Sequence, residues 1–208
     1  IRTLSMWMVE HTARMWRELH GQGLTLKISV NLSTRDLLDQ ELPAKLERIV
    51  KQHGLHPGAL VLEITESATM DDPDRALQTL ARLHALGLRL SIDDFGTGYS
   101  SLAYLKRLPV DELKIDKSFV MKMESDLDDA KIVRSTIDLA HNLGLSVVAE
   151  GIENEQTWKL LAGLQCDEAQ GYFIARPMPA ETFYGWAKTW RAPQTENVNL
   201  ATDFAKMI

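Results

Sequence analysis

Apolar residues recur along the chain at two spacings, and the alternation between these spacings defines the predicted elements. Five segments carry apolar residues three or four positions apart, at residues 4–19, 42–50, 76–83, 132–143 and 158–161. This spacing is typical of amphipathic helices. A glycine stands just past each pattern: Gly21, Gly54, Gly87, Gly144 and Gly163. We therefore predict that each helix ends in a left-handed cap, which favours a residue without Cβ.

Short β-rich segments lie between the helices. We predict six strands, Leu26–Val30, Leu60–Ile64, Leu88–Ile92, Val110–Ile115, Leu145–Ala149 and Cys166–Ala169. Several of them are apolar at nearly every position, as expected when both faces of a parallel sheet are covered. Their starts recur every 20 to 35 residues, which is the spacing of βα units. The pattern predicts an α/β fold with a parallel sheet.

Polar residues follow or end these strands, where packing alone would not require them. They are Asn31, Glu63, Asp93, Asp94, Lys114, Asp116, Glu150 and Gln170. In a (β/α)8 barrel the carboxyl ends of all strands converge on one face. An open doubly wound sheet would gather only the residues near its switch point. We therefore favour a TIM-like (β/α)8 barrel over a Rossmann-like sheet.

The length of the chain changes this expectation. A complete barrel takes about 250 residues and eight βα units. This chain has 208 residues and begins in a predicted helix, with six strands after it. We expect the N-terminal one to two β/α units to be absent from it.

Composition excludes several classes of protein. Lys and Arg total 23 against 29 Asp and Glu, so the formal net charge is −6, and there is no run of basic residues. A polymeric nucleic-acid partner is therefore not expected. No apolar stretch approaches the roughly 20 residues that cross a bilayer. The single cysteine, Cys166, is typical of a reducing compartment, so we expect a cytoplasmic location, either free or as the cytoplasmic part of a membrane-anchored protein.

The predicted cluster has the chemistry of a metal site. Asn31, Glu63, Asp93, Asp94 and Glu150 supply only oxygen donors, and four of them are carboxylates. Four carboxylates in one pocket need a compensating cation. Oxygen ligands favour Mg²⁺ or Mn²⁺ over zinc, and none of the six histidines stands at a strand end. A two-metal site of this kind is typical of phosphoester cleavage.

Lys114 is the one cation of the predicted cluster. It would orient or deprotonate a water, or stabilise developing negative charge. Other interpretations remain open for single residues. A strand-end acid is often a helix N-cap, and a lone lysine often lies along the surface with its charge in water.

Six motifs, in this order along the chain, resemble the EAL-type phosphodiesterases that hydrolyse the bacterial second messenger cyclic di-GMP. The motifs are Ser29-Val30-Asn31-Leu32-Ser33, Leu62-Glu63-Ile64-Thr65-Glu66-Ser67, Asp93 through Ser101, Leu113-Lys114-Ile115-Asp116, Ala149-Glu150-Gly151-Ile152-Glu153 and Gln170-Gly171-Tyr172. The likeness runs from the first helix to about Trp186. The resemblance implies a TIM-like barrel that binds Mg²⁺ or Mn²⁺ and cuts cyclic di-GMP to linear pGpG.

The resemblance also implies roles for single residues. Metal ligands would be Asn31, Glu63 and Asp93 for one ion, and Asp93, Asp94 and Glu150 for the second. Lys114 would hold the attacking water, and Lys114 and Glu150 are the predicted catalytic residues. Substrate-binding or supporting roles fall to Glu66, Asp116, Glu153 and Gln170, of which Glu66 would steady the loop from Asp93 to Ser101. Members of the family are commonly homodimers and commonly follow sensory or GGDEF domains.

One departure from the family pattern bears on activity. The Glu-Ala-Leu motif that names the family, whose glutamate ligates the first metal, does not occur in this sequence. We therefore expect residues 1–190 to be an N-terminally incomplete EAL barrel and residues 191–208 to be an extension without an assigned role. A second hypothesis is a catalytically impaired EAL-like domain that binds cyclic di-GMP or a protein partner. A lyase or isomerase on the same barrel rests on fold analogy alone.

Overall fold

The computed structural model describes residues 2–97 and 102–193. The chain divides into two compact units, residues 1–113 and residues 114–208. Each unit alternates helices with strands.

The first unit contains the longest helix and three complete strands. Its elements are α1 (Arg2–Gly21), β1 (Ile28–Leu32), α2 (Thr34–Leu37), α3 (Leu42–His53), β2 (Leu60–Thr65), a 3₁₀ turn (Glu66–Thr69), α4 (Pro73–Ala85), β3 (Arg89–Phe95) and α5 (Leu102–Leu105). Strand β4 (Glu112–Ile115) crosses the boundary between the units. The helical spacing is confirmed in α3, where Leu42, Leu46 and Ile49 are buried.

Strands β1, β2 and β3 pair in parallel, as predicted. Five of the six residues of β2 are buried, because neighbouring groups cover both of its faces. Asn31 on β1 pairs with Glu63 on β2, and Thr65 on β2 pairs with Asp93 on β3. This register brings three of the predicted site residues onto adjacent strands.

The second unit repeats the alternation with shorter elements. They are α6 (Lys117–Val120), α7 (Leu127–Asn142), β5 (Ser146–Glu150), α8 (Glu155–Gly163), β6 (Glu168–Gln170) and α9 (Ala180–Thr189). Strands β5 and β6 pair in parallel, with Glu150 opposite Gln170. Helix α7 buries Val133, Ile137 and Ala140 along one stripe, which confirms the predicted amphipathic pattern.

The predicted glycine caps are confirmed in three places and wrong in two. Positive φ angles occur at Gly54, Gly87 and Gly144. Gly21 and Gly163 are instead the last residues of α1 and α8, and the positive φ falls two positions later, at Gly23 (86°) and Gln165 (61°). Each of these two helices runs one residue further than the pattern predicts.

Strand boundaries differ from the prediction at both ends of the sequence. β1 begins at Ile28 rather than Leu26, because its first ladder bond runs from the Ile28 amide to the Ala59 carbonyl. β6 covers Glu168–Gln170 rather than Cys166–Ala169. The Cys166 amide instead donates to the Leu161 carbonyl at 3.0 Å, and its thiol lies 3.3 Å from the Glu168 carbonyl and 3.6 Å from the Val147 carbonyl. Within residues 2–97 and 102–193, no helix combines the length and the apolarity needed to span a bilayer.

Candidate functional site

Three of the predicted ligands form a row on one face of the first unit. Asn31 and Glu63 are register partners, and Glu63 is also the partner of Ser91, two residues before Asp93. Side chains of partnered residues in a parallel pair point to the same side, as do residues two apart on one strand. Asn31, Glu63 and Asp93 therefore project from the same side of three neighbouring strands.

Asp93 and Asp94 bring two carboxylates together at the end of β3. Carboxylate oxygens of the two residues lie within 4.8 Å of each other, and the Asp94 amide donates to Oδ1 of Asp93 at 3.1 Å. Successive strand residues normally point to opposite sides. Asp94 departs from this rule because its φ of 54° is left-handed. The resulting all-oxygen set fits a hard divalent cation.

Glu66 lies in the 3₁₀ turn directly after β2 and is buried. Its Oε2 accepts a hydrogen bond from the Gly96 amide at 3.4 Å. This contact ties the end of β2 to the turn that follows Asp93 and Asp94. Residues 98–101, the remainder of the predicted loop, lie outside the described part of the chain.

In the second unit, Lys114 and Glu150 form a buried ion pair. The Lys114 Nζ lies 2.5 Å from Oε1 of Glu150, and the two side chains are 4% and 17% exposed. The surface interpretation of Lys114 is therefore wrong. A buried ammonium group is stable only with a compensating charge at close range, which Glu150 supplies here.

Glu150 also lines a cavity of about 560 Å³ in the second unit. The predicted residues Glu153 and Gln170 share this lining, and Gln170 is the register partner of Glu150. A cavity of this size accommodates a small-molecule ligand. The second unit thus brings together four predicted residues, Lys114, Glu150, Glu153 and Gln170.

Asp116 has a structural role that the sequence left open. It is the N-cap of α6, and its Oδ1 accepts hydrogen bonds from the amide and the hydroxyl of Ser118. Burial raises the pKa of the Asp116 carboxyl, but these bonds and the charge of Lys117 outweigh burial and leave that pKa below its usual value. The N-cap interpretation therefore holds for this strand-end acid.

Some residues at the cavity were not singled out from the sequence. Lys117, Met121 and Tyr172 line it together with Glu150. The Arg176 guanidinium lies 4.5 Å from the centre of the Tyr172 ring. Tyr172 stands in the Gln170-Gly171-Tyr172 motif, which was a usable signal, whereas Lys117 and Met121 follow β4 in an ordinary helical turn.

Comparison with known proteins identifies the family. The model of the EAL domain matches residues 1–177. The bifunctional diguanylate cyclase/cyclic di-GMP phosphodiesterase MucR of Pseudomonas aeruginosa is 44% identical over 176 residues, which cover 84% of this chain and 26% of MucR. The cyclic di-GMP phosphodiesterase NbdA of the same organism is 40% identical over 205 residues, covering 97% of this chain and 26% of NbdA. The chain thus spans about a quarter of the length of these relatives.

Similar solved structures indicate the same family. The MucR phosphodiesterase in complex with cyclic di-GMP has a TM-score of 0.83 and 42% identity, covering 87% of this chain and 74% of that chain. The EAL domain of Mycobacterium smegmatis DcpA has a TM-score of 0.87 and 36% identity, covering 92% of this chain and 87% of that chain. The predicted α/β, TIM-like fold class is confirmed by this likeness. The chain belongs to the EAL-domain family.

Proposed function

We propose that this chain carries the machinery for hydrolysis of cyclic di-GMP to linear pGpG. The observation that carries the proposal is the row of Asn31, Glu63 and Asp93 on one side of three parallel strands, in a chain of the EAL family. The named activities of MucR and NbdA support the choice of substrate.

The oxygen donors would hold Mg²⁺ or Mn²⁺. Asn31, Glu63 and Asp93 would ligate one ion, and Asp93, Asp94 and Glu150 the second. Bound divalent ions would neutralise the phosphate and lower the pKa of the attacking water. The left-handed turn at Asp94 supports this assignment, because it directs a second carboxylate toward Asp93.

Lys114 and Glu150 would act on the attacking water. The ion pair with Glu150 fixes the position of the Lys114 ammonium, so its N–H groups would orient the water and stabilise negative charge on the phosphate. Glu150 would serve both as a ligand and as the group that positions Lys114.

Four further residues would contact the substrate or hold the segments around the site in place. Glu153 and Gln170 line the cavity beside Glu150, so they would contact the substrate. Glu66 would hold the Gly96 turn, and Asp116 would fix α6, whose first residue Lys117 also lines that cavity.

The matched relatives also bear on the protein context of the reaction. The relatives are about four times longer than the matched segment, and MucR is named as bifunctional. This length and this name support regulation by sensory or GGDEF domains upstream. From the family resemblance we also propose that the phosphodiesterase is cytoplasmic and homodimeric. Light scattering of the full-length protein at two concentrations tests the dimer.

The decisive experiment replaces Asp93 with Asn in the full-length protein. We expect Mn²⁺-dependent formation of pGpG to be abolished, because the substitution removes a charged ligand from both predicted ion positions. Asp138→Asn is the matched control, since Asp138 lies on the exposed side of α7. Full activity in Asp93→Asn would overturn the assignment.

The same protein preparations distinguish hydrolysis of cyclic di-GMP from binding without turnover. If calorimetry detects cyclic di-GMP binding to the native protein while chromatography finds no pGpG after long incubation with Mg²⁺ and Mn²⁺, the domain is a binding module. Rapid turnover rejects that alternative.

A further inference from the structure

The same hydrogen-bonded arrangement occurs once in each unit, at the opposite end of the strands from the proposed site. In the second unit, Oδ2 of Asp167 accepts from the Val147 amide at 2.8 Å and contacts Nε2 of His141 at 2.9 Å. His141 lies in the last turn of α7, and Asp167 directly precedes β6. One carboxylate thus ties together a helix end and two neighbouring strands.

The first unit repeats this arrangement with different residues. Oδ2 of Asp111 accepts from the Leu90 amide at 2.9 Å, and Oδ1 lies 3.4 Å from Nε2 of His84. The sequences match as well, since His-x-Leu-Gly-Leu precedes the bonded amide in both cases. Because the carboxylate contact occurs in both units, it is a regular feature of this fold.

The contact in the second unit lies directly before a very short strand. β6 has three residues, so its backbone ladder alone provides few bonds. The residue directly before it supplies a further bond, because Asp167 accepts from the Val147 amide. The Cys166 thiol lies near two carbonyl oxygens, Glu168 at 3.3 Å and Val147 at 3.6 Å. Since Glu150 is three residues after Val147 and Gln170 is three after Asp167, this anchor places Gln170 opposite Glu150.

The other end of β6 is held by the backbone. The Ile152 amide donates to the Gln170 carbonyl at 3.1 Å, and the Phe173 amide donates to the Ile152 carbonyl at 2.9 Å. A shift of one residue between the anchors would turn Gln170 to the opposite face of the sheet. Both contacts bear on Gln170 through the backbone: the first lies three residues before it, and the second is formed by its own carbonyl.

We propose that Asp167, oriented by His141, is a positioning residue for the phosphodiesterase reaction, which sets the register that holds Gln170 beside Glu150. The inference rests on the proposed function for its effect on turnover, and on geometry alone for the register.

The charge state of Asp167 agrees with this role. Burial raises the pKa of the carboxyl, but the hydrogen bonds from His141 and Val147 outweigh burial and leave that pKa below its usual value. The carboxylate is therefore ionised near neutral pH and has no proton to donate, so Nε2 of His141 is the donor. Charge-assisted bonds of this kind are stronger than neutral ones.

The test compares Asp167→Ala, Asp167→Asn and His141→Gln in the full-length protein, with Asp138→Asn on α7 as control. Amide hydrogen exchange at Val147 and Ile152 reports the two ends of the register without reference to activity. We expect exchange at both amides to accelerate more than about tenfold in Asp167→Ala. Asp167→Asn keeps a side-chain oxygen for the Val147 amide, so it should restore part of the protection. Unchanged exchange at Ile152 in Asp167→Ala would overturn the inference whatever the turnover.

A double-mutant cycle with Gln170→Ala tests the functional consequence. We expect Asp167→Ala to lower kcat/KM about tenfold in the native background and less than about twofold in Gln170→Ala, because both changes act through one side chain. Equal losses in the two backgrounds would show that Asp167 does not act through Gln170. If Gln170→Ala leaves turnover intact while Asp93→Asn is inactive, the positioning role fails and the proposed function stands.

Discussion

The Lys114 ammonium and the Glu150 carboxylate lie 2.5 Å apart, with less than a fifth of either side chain exposed. Each supplies the counter-charge that the burial of the other requires. Removal of one partner is therefore more costly than removal of both.

Lys114→Met should lower the free energy of unfolding by about 3 kcal/mol, because Glu150 then loses its cationic partner inside the protein. Urea denaturation of the full-length protein measures the change. The double variant Lys114→Met/Glu150→Leu should recover part of the loss. Lys131→Met, which breaks an exposed pair with Asp128, should cost less than about 1 kcal/mol. A loss for Lys114→Met no larger than that control would contradict the prediction.

Gly171→Ala should destabilise the protein severely. An added Cβ would lie 2.1 Å from the carbonyl oxygen and 2.3 Å from the amide nitrogen of Ile152, and backbone atoms cannot move aside cheaply. We expect a loss of about 3 kcal/mol or more in thermal or urea unfolding.

Gly185→Ala is the matched control for Gly171. Gly185 lies within α9 with no atom within 4 Å of an added Cβ, so alanine should raise the free energy of unfolding by about 0.5–1 kcal/mol. Similar stability in the two variants would show that the close approach at Ile152 is not a constraint.

Asp116→Asn should make stability less dependent on acid pH. The folded-state pKa of Asp116 lies below its unfolded value of 3.8, so the carboxylate stabilises the fold above that pH and loses this contribution as the pH falls through the folded value. Asn preserves the N-cap but does not titrate. Urea unfolding at pH 6 and at pH 3 should show a smaller difference for the variant, and an equal difference in both proteins would refute the assignment.

Glu66→Ala should release the turn after β3. The Gly96 amide loses its acceptor, so its hydrogen exchange should accelerate. We expect turnover of cyclic di-GMP to fall about tenfold, as for other residues that orient metal ligands. Glu66→Gln keeps an acceptor oxygen and should recover most of the protection at Gly96; equal exchange in native and Ala proteins would exclude the contact.

The hydrophobic pattern predicted most of the architecture, because burial on both faces leaves a clear signal. β2 is the best example, since its apolar run is buried almost throughout. The row of oxygen ligands was also predictable, because residues in register on neighbouring parallel strands project from the same face of the sheet. Asn31, Glu63 and Asp93 are predicted ligands from the sequence, and the strand register places them on one side of the sheet.

Other features depend on contacts that no local pattern records. β6 does not include Cys166 because the Cys166 amide donates to the Leu161 carbonyl in α8 at 3.0 Å. The family resemblance implied a supporting role for Asp116 at the site, but whether such a strand-end acid caps a helix depends on the turn that follows. Helices of four residues, such as α2 and α6, are too short for periodicity to predict.

In each unit the His–Asp contact stabilises the turn between a helix and the next strand, so the same turn is used at two places in the fold. Residues 84–90 and 141–147 have the same length and the same Leu-Gly-Leu centre, and each bonds to an aspartate that directly precedes a later strand. The helices and the loops at the carboxyl ends of the strands can therefore vary in sequence while this turn keeps the strands aligned.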